Sequence, residues 1–411
     1  MKQHLALHIL RSGKNVLLTG PAGSGKTFVL NQFIGHLKRE KIPVGITAPT
    51  GVAATHINGR TLHSWAGLGI QHRFTKKEID KIAYTKRIRE RVLKTKTLII
   101  DEISMMNHYH LDAVDAVCRK IRQNTQPFGG IQVVMSGDFF QLPPISRDGE
   151  EGKFVNNSDI WGAMDLQVCY LTEQHRHDDA DLSKALNDIR KGRVTAATKE
   201  ILAGRHRASI SGSMRPTRLF THNVDVDAQN EHELGLIGGE EHEYNMGEAG
   251  RAELVKSLKK NCLAPERLML KKGAVVMFLK NNSEAGYVNG TLGKVINFSS
   301  EDFPIVETTN GDVITATPSR WMVEEEDEIL AQISQIPLRL AWAITVHKSQ
   351  GMTLDLAEMD LSKSFTPGMG YVALSRVRKL SGLSLLGLNE MALKVNPKAI
   401  LLDRELRRRS I

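Results

Sequence analysis

The chain has 411 residues, with 55 Lys and Arg against 46 Asp and Glu, a net charge of +9. An apolar share of 41% and a charged share of 25% are those of an ordinary folded protein and exclude a disordered chain, and no apolar run approaches the roughly 20 residues that a bilayer span needs. The length predicts about two to four domains, and the basic excess fits an anionic partner such as nucleic acid. Cys118, Cys169 and Cys262 are far apart and form no C-x-x-C pair, so a reducing, cytoplasmic setting is expected rather than a disulfide framework or a cysteine zinc site.

The opening MKQHLALHILRSGK reads as an amphipathic helix, since charged residues interrupt it and no cleavage site for a targeting signal follows. Next comes a short apolar strand from Val16, a helix from Lys26 to about Glu40, and a strand from Val44. GVAATHI then starts a helix, followed by a strand from Thr97, a helix from about His110 to Gln123 and a strand from Gln132. Apolar strands separated by helices predict a parallel sheet covered on both faces. Such sheets bind ligands at the carboxyl ends of their strands, and those ends carry GPAGSGKT, TAPTG, DE and GD.

A second α/β segment is expected from about Cys169 to Ala264. Between Leu268 and Met322 short strands and Asn-Gly turns predict a small inserted β-barrel. The acidic run Glu324 to Glu328 reads as a solvated linker. Alternation resumes at Leu338 and continues to about Leu388, and the basic RELRRRS tail reads as a frayed helix. The segment Gln71 to Lys96 is rich in Lys and Arg, which suits either DNA contact or a solvated helix with i, i+4 charge pairs. The pairs His108/His110 and His175/His177 lack a third ligand nearby, so no protein-bound transition metal is expected.

Gly20-Pro-Ala-Gly-Ser-Gly-Lys26-Thr27 fits G-x-x-x-x-G-K-[ST] between a strand and a helix. Small residues (Gly20, Ala22, Gly23, Ser24, Gly25) let backbone N–H groups converge on phosphate oxygens at a helix N-terminus. Lys26 would reach the β- and γ-phosphates of ATP, and Thr27 would ligate Mg²⁺. Asp101 would also hold Mg²⁺, and Glu102 would orient and deprotonate the attacking water.

A phosphate loop alone would also suit a small-molecule kinase. TAPTGVAA from Thr47, TLHSWAGLG from Thr61, IDEISMM from Ile100, GGIQVVMSGDFFQLPPI from Gly129, AITVHKSQGMTLD from Ala343 and YVALSRVR from Tyr371 follow in order. Together with the phosphate loop they resemble the superfamily 1B DNA helicases, above all the Pif-type family, with Dda- and RecD-type enzymes as relatives. The resemblance runs from Gln3 to about Leu388. It implies two RecA-like P-loop NTPase domains with parallel sheets, a small wedge insertion and an inserted SH3-like β-barrel. The domains would be 1–165, with the wedge at about 65–96; 166–265 with 336–411; and 266–335 as the SH3-like insertion.

The resemblance implies an ATP-dependent enzyme that moves 5′→3′ on single-stranded DNA and unwinds forked or tailed duplexes as a monomeric, nucleoid-associated motor. Alternatives are a nucleic-acid-stimulated ATPase that remodels DNA or RNA without processive unwinding, and an RNA helicase. By the same resemblance Gln3 reads the adenine, Gln141 senses the γ-phosphate, and Arg176 and Arg376 neutralise charge developing on it, while Gly351 and Gln350 lie where nucleotide and DNA can both be touched. Pro49, Thr50, Gly51, Thr61 and His63 would contact the strand backbone on the first domain, and Asn223, Thr345, His347 and Lys348 on the second. Trp65 falls within the same motif and suits either a DNA face or core packing.

Overall fold

A computed structural model describes the chain except residues 58, 70–73, 145–151, 174–178, 211–215, 281, 283, 288–289, 310, 326–327 and 411; for 52, 55, 56, 257, 261, 323–325 and 328 it describes the backbone. The chain forms two compact units. The first comprises Met1–Ile201, Phe365–Ser375 and Glu390–Ile411, and the second comprises Leu202–Ser364 and Arg376–Asn389.

The first unit is built on a six-stranded parallel sheet of β1 (Val16–Thr19), β2 (Val44–Ala48), β3 (Arg60–Thr61), β4 (Thr97–Ile100), β5 (Gln132–Gly137) and β6 (Gln167–Tyr170), in the order β3-β2-β4-β5-β1-β6. β1 and β4 are buried at every position, as expected for strands covered on both faces. The helix Lys26–Arg39 turns Val29, Leu30, Phe33, Ile34 and Leu37 inward, where they pack with Ala6 and Leu10 of the helix Gln3–Arg11 and with Val16, Leu18 and Val134 of the sheet.

β6 overturns the expected boundary at 165/166. Its residues pair in register with β1, Val16 opposite Gln167 and Thr19 opposite Tyr170, so the first unit extends through Ile201. The pairing is favoured because Val168, Cys169 and Tyr170 are all buried there. Two later segments also return to this unit, the helices Met369–Leu374 and Pro397–Arg409. The latter is no frayed tail: Asn396 caps it, and Ala399, Leu402 and Leu406 are buried.

The basic segment forms the helices Lys76–Ala83 and Lys86–Lys94, with residues 70–73 outside the described set. Thr75 and Glu78 make a reciprocal capping box, and Ile79, Ala83, Ile88 and Val92 face inward. Arg122 ties this segment to the helix His108–Arg122, donating from Nη1 to the Val92 and Thr95 carbonyls at 3.2 Å each.

In the second unit a four-stranded parallel sheet runs in the order Ala343–Thr345, Thr217–Phe220, Ala357–Leu361, Leu383–Leu388. A five-stranded antiparallel sheet holds Val313–Thr315, Pro304–Thr308, Leu292–Phe298, Val275–Phe278 and Leu338–Leu340. The acidic run departs from a linker in its described residues, while 326–327 lie outside them: Glu324 and Glu325 end the strand Ser319–Glu325, which pairs with Glu328–Gln335, and this second strand also pairs with Gly247–Gly250. Ala331 and Ile333 are fully buried there, which anchors the hairpin below its acidic end. Among the described residues no helix is long and apolar enough to cross a membrane.

Candidate nucleotide and strand-binding sites

The carboxyl ends of β1, β2, β4 and β5 carry the motifs at one edge of the first sheet. After β1 the chain turns through Gly20, Gly23 and Gly25, with φ of 149°, 83° and 83°. A side chain at Gly20 is excluded twice, by that φ and because a Cβ would sit 2.6 Å from the Leu171 carbonyl oxygen. Gly25 then opens the helix Lys26–Arg39. Lys26 folds back over the loop, its Nζ donating to the Gly20 and Pro21 carbonyls at 2.8 and 2.9 Å. Ser24 is fully buried, and its Oγ has no hydrogen-bond partner among the described residues. Gln3 reaches this loop, Nε2 donating to the Ser24 carbonyl at 3.2 Å.

Asp101 follows β4, its N–H donating to the Thr47 carbonyl at 2.9 Å. Burial lifts its carboxyl above the usual range, and the Lys26 charge pulls the other way. Glu102 takes a left-handed backbone, φ 50° and ψ 43°, before the 3₁₀ turn Ile103–Met105, a conformation costing a non-glycine residue about 1 kcal/mol. After β5, Gln141 is buried in a turn closed by its N–H to the Asp138 carbonyl at 3.0 Å.

These residues fit a nucleotide and its cation. The loop is packed so closely that a Cβ at Gly20 would strike the Leu171 carbonyl and crowd Ser24 Oγ, a buried hydroxyl without a partner among the described residues. Thr27 and Asp101 supply the hard oxygen donors that Mg²⁺ prefers.

On the same edge Pro49, Thr50 and Gly51 follow β2. The Thr50 hydroxyl accepts from Ala53 N–H at 3.2 Å, starting the helix Gly51–His56. The Thr61 hydroxyl caps Leu62–Ala66 by accepting from Ser64 N–H. His63 meets His110 edge-on, with ring centroids 4.2 Å apart. Trp65 is buried, so its place is in the core.

In the second unit Asn223 is exposed at the first turn of the helix Asn223–Leu236. Asn230 of that helix exchanges two 2.9 Å hydrogen bonds with the backbone of Ala343, fixing the helix against the strand that ends at Thr345. The buried Thr345 hydroxyl accepts from Lys348 N–H at 3.3 Å. Burial, aided by the neighbouring His222, lowers the His347 pKa. Burial, with Arg339 nearby, lowers that of Lys348. Gly351 has a φ of 82°. Arg376 is buried, its Nη1 donating to the Met352 carbonyl at 3.2 Å and the Ser349 carbonyl at 3.4 Å. Arg176 lies outside the described residues.

A family profile described as PIF1-like helicase matches residues 3–200, and one described as DNA helicase Pif1, 2B domain, matches residues 253–298. The chain is similar to the ATP-dependent DNA helicase Pif1 of Psychrobacter sp., 44% identical over 97% of this chain and 70% of that protein. The chain belongs to the Pif1 helicase family. It is also similar to the ATP-dependent DNA helicase PIF1 of Xenopus laevis, 38% identical over 96% of this chain but only 62% of that protein. The crystal structure of Pif1 helicase from Candida albicans is similar with a TM-score of 0.84 and 34% identity, covering 98% of both chains. The Bacteroides Pif1 helicase in complex with ADP-AlF3 and single-stranded DNA is similar with a TM-score of 0.69 and 31% identity, covering 98% of this chain and 95% of that one.

One feature of this Pif1-family chain went unread in its sequence. Arg190 lies buried in the first unit and donates from Nη1 to Asp138 Oδ1 and Oδ2 at 2.7 and 2.8 Å. Its Nη2 donates to Asp403 Oδ1 at 2.9 Å and to the Tyr170 hydroxyl at 3.0 Å. Burial opposes the Arg190 charge, but the Asp138 carboxylate and its neighbours outweigh that and hold its pKa well above the ordinary value. A signal for the position existed. Leu182, Ala185, Leu186, Ile189 and Arg190 are the buried residues of Ala180–Arg190, so the arginine continues the i, i+3, i+4, i+7 stripe of an apolar helix face.

Proposed function

We propose that this chain is an ATP-dependent DNA helicase that moves 5′→3′ on single-stranded DNA and unwinds forked or tailed duplex as it goes. The observation that carries this reading is the edge of the first sheet: Lys26 and Thr27 follow β1, Asp101 and Glu102 follow β4, and Gln141 follows β5, at the carboxyl ends of paired parallel strands. Lys26 exchanges its two loop carbonyls for β- and γ-phosphate oxygens. Thr27 and Asp101 hold a divalent cation, which when bound neutralises charge on the same phosphates. Glu102 orients the attacking water and accepts its proton. Gln141 registers the γ-phosphate, and Gln3 lies against the loop on the side assigned to the base. Arg376, together with Arg176, is assigned the charge developing in transfer. Such arginines contribute on the order of 10³–10⁵ in rate.

Strand contacts are assigned to Pro49, Thr50, Gly51, Thr61 and His63, and to Asn223, Thr345, His347 and Lys348, with Gly351 between nucleotide and strand. Most are short polar groups that meet phosphate and sugar without reading sequence. The helices 76–94 are assigned as the wedge and the antiparallel sheet of the second unit as an SH3-like insertion. The motor is read as a cytoplasmic monomer. The Bacteroides complex with nucleotide analogue and single-stranded DNA supports both ligands.

The test is strand displacement on duplexes with a 5′ or a 3′ tail, alongside ATPase rates with single-stranded DNA, with RNA and with no polymer. Unwinding from the 5′ tail alone, with hydrolysis stimulated by DNA, is expected. Unwinding only from the 3′ tail overturns the polarity. Stimulated hydrolysis without displacement leaves a remodelling ATPase.

A further inference from the structure

The Tyr371 hydroxyl lies between two loops of the candidate nucleotide site, and all its contacts fall within the first unit. It accepts from the Ala22 N–H of the phosphate loop at 3.0 Å and from Arg190 Nη1 at 3.2 Å, and it donates to Asp138 Oδ2 at 3.0 Å. A phenol has one donor hydrogen and two acceptor lone pairs, so every hydrogen-bonding capacity of this oxygen is used. Asp138 in turn builds the turn bearing Gln141: its Oδ1 accepts from Phe140 N–H at 3.2 Å and its carbonyl from Gln141 N–H at 3.0 Å. The guanidinium of Arg190 also sits 4.2 Å from the centre of the Phe140 ring. On the other side of this turn Gly368 has a φ of 89°, and a Cβ there would lie 2.5 Å from the Gln141 carbonyl oxygen. The backbone before Tyr371 is thus packed against the turn that its hydroxyl reaches.

We propose that Tyr371 is a positioning residue for ATP hydrolysis, its hydroxyl setting the spacing between the phosphate loop at Ala22 and the Gln141 turn through Asp138 and Arg190. This deepens the nucleotide-site reading and rests on it. The ring of Tyr371 fills the core and the hydroxyl alone makes the connection, so the two roles separate in Tyr371→Phe. With the hydroxyl gone, Ala22 N–H loses its partner, and the Gln141 turn loses its register with the loop. The loss should fall on recognition of the γ-phosphate, because ADP fills the cradle without engaging that turn.

The experiment measures binding of AMP-PNP and of ADP to the full chain by calorimetry, with Mg²⁺, for the unsubstituted protein, Tyr371→Phe and Asp403→Asn. Asp403→Asn damages the far end of the same buried network without touching either loop. Tyr371→Phe should weaken AMP-PNP about tenfold, the scale of one lost hydrogen bond, with ADP affinity within about twofold; Asp403→Asn should move neither ratio. Equal weakening of both nucleotides, no change in either, or the same selective loss in Asp403→Asn overturns the proposal. In the unsubstituted protein without nucleotide, residue-resolved hydrogen exchange should find Ala22 N–H protected, and exchange at the rate of an open loop overturns the proposal even if Tyr371→Phe fails to fold. Failure of the unsubstituted protein to bind either nucleotide would instead remove the site reading itself.

Discussion

The Lys26 ammonium donates to the Gly20 carbonyl at 2.8 Å, closing the loop from which its own helix starts. The contact holds the charge at the mouth of the cradle, where phosphate oxygens compete for it. Lys26→Ala should therefore lower DNA-stimulated ATP hydrolysis by about 100-fold or more while leaving the far-ultraviolet spectrum and single-strand binding in place. Steady-state hydrolysis with and without DNA checks this, and retained stimulation would show that the loop is not the phosphate site.

Glu102 combines a proposed chemical role with a left-handed backbone. Glu102→Gln should keep ATP binding and lose turnover by about 10²–10⁴-fold. Glu102→Gly should lose turnover as well, yet be no less stable, gaining up to about 1 kcal/mol from relief of the backbone. Denaturant unfolding of the two variants, beside their ATPase rates, separates the effects.

Asp101 is a buried carboxyl that the fold alone does not favour in its charged form. Asp101→Asn should match or exceed the unsubstituted protein in unfolding temperature without ligand. It should also lose the added stabilisation that Mg²⁺ with ATP gives. Thermal unfolding with and without both ligands reads the two outcomes, and an unchanged ligand-induced shift would remove Asp101 from the cation site.

His347 carries a pH dependence of known sign. Burial, with His222 beside it, lowers its folded-state pKa below the ordinary 6.5, so the unfolded chain binds the proton more readily. The resulting stability is fully present above about pH 6.5 and is lost as pH falls through the folded-state value. His347→Gln should flatten that part of the stability profile between about pH 7 and 5. An unaltered slope would contradict the burial argument.

Arg190 neutralises Asp138 and Asp403 in the interior of the first unit. Arg190→Met keeps much of the bulk and takes the cation from the buried Asp138, while Asp403 keeps Arg407 at 2.8 Å, so it should destabilise the protein by about 3–5 kcal/mol. Chemical unfolding measures this, and a loss under about 1 kcal/mol would mean that water reaches the network.

Much of the first unit was readable because its strands are apolar on both faces and its motifs sit where those strands end. The phosphate loop, Asp101-Glu102 and the Gln141 turn fall at β1, β4 and β5 as their sequences imply. The membership of β6 was not readable, since its burial suits either sheet and pairing with β1 is settled far along the chain. The strand Glu241–Asn245 was missed because its burial alternates only between exposed and half-buried, with no apolar face to mark the period. Tyr371 stood inside a recognised motif, but its partners Ala22, Asp138 and Arg190 come from three separate segments. Local spacing carries no trace of such a meeting.

The returning segments of the first unit bear on how the protein is made. Arg190 leaves the ribosome 213 residues ahead of Asp403, and Asp138 leaves 233 residues ahead of Tyr371. A nascent chain that has completed the first sheet and the helix Ala180–Arg190 still holds an arginine with one of its two carboxylates and a phosphate loop without its tyrosine. The whole second unit is synthesised during that interval. The first unit is therefore begun before the second and finished after it, and its unfinished interior stays open to chaperones and proteases throughout that interval.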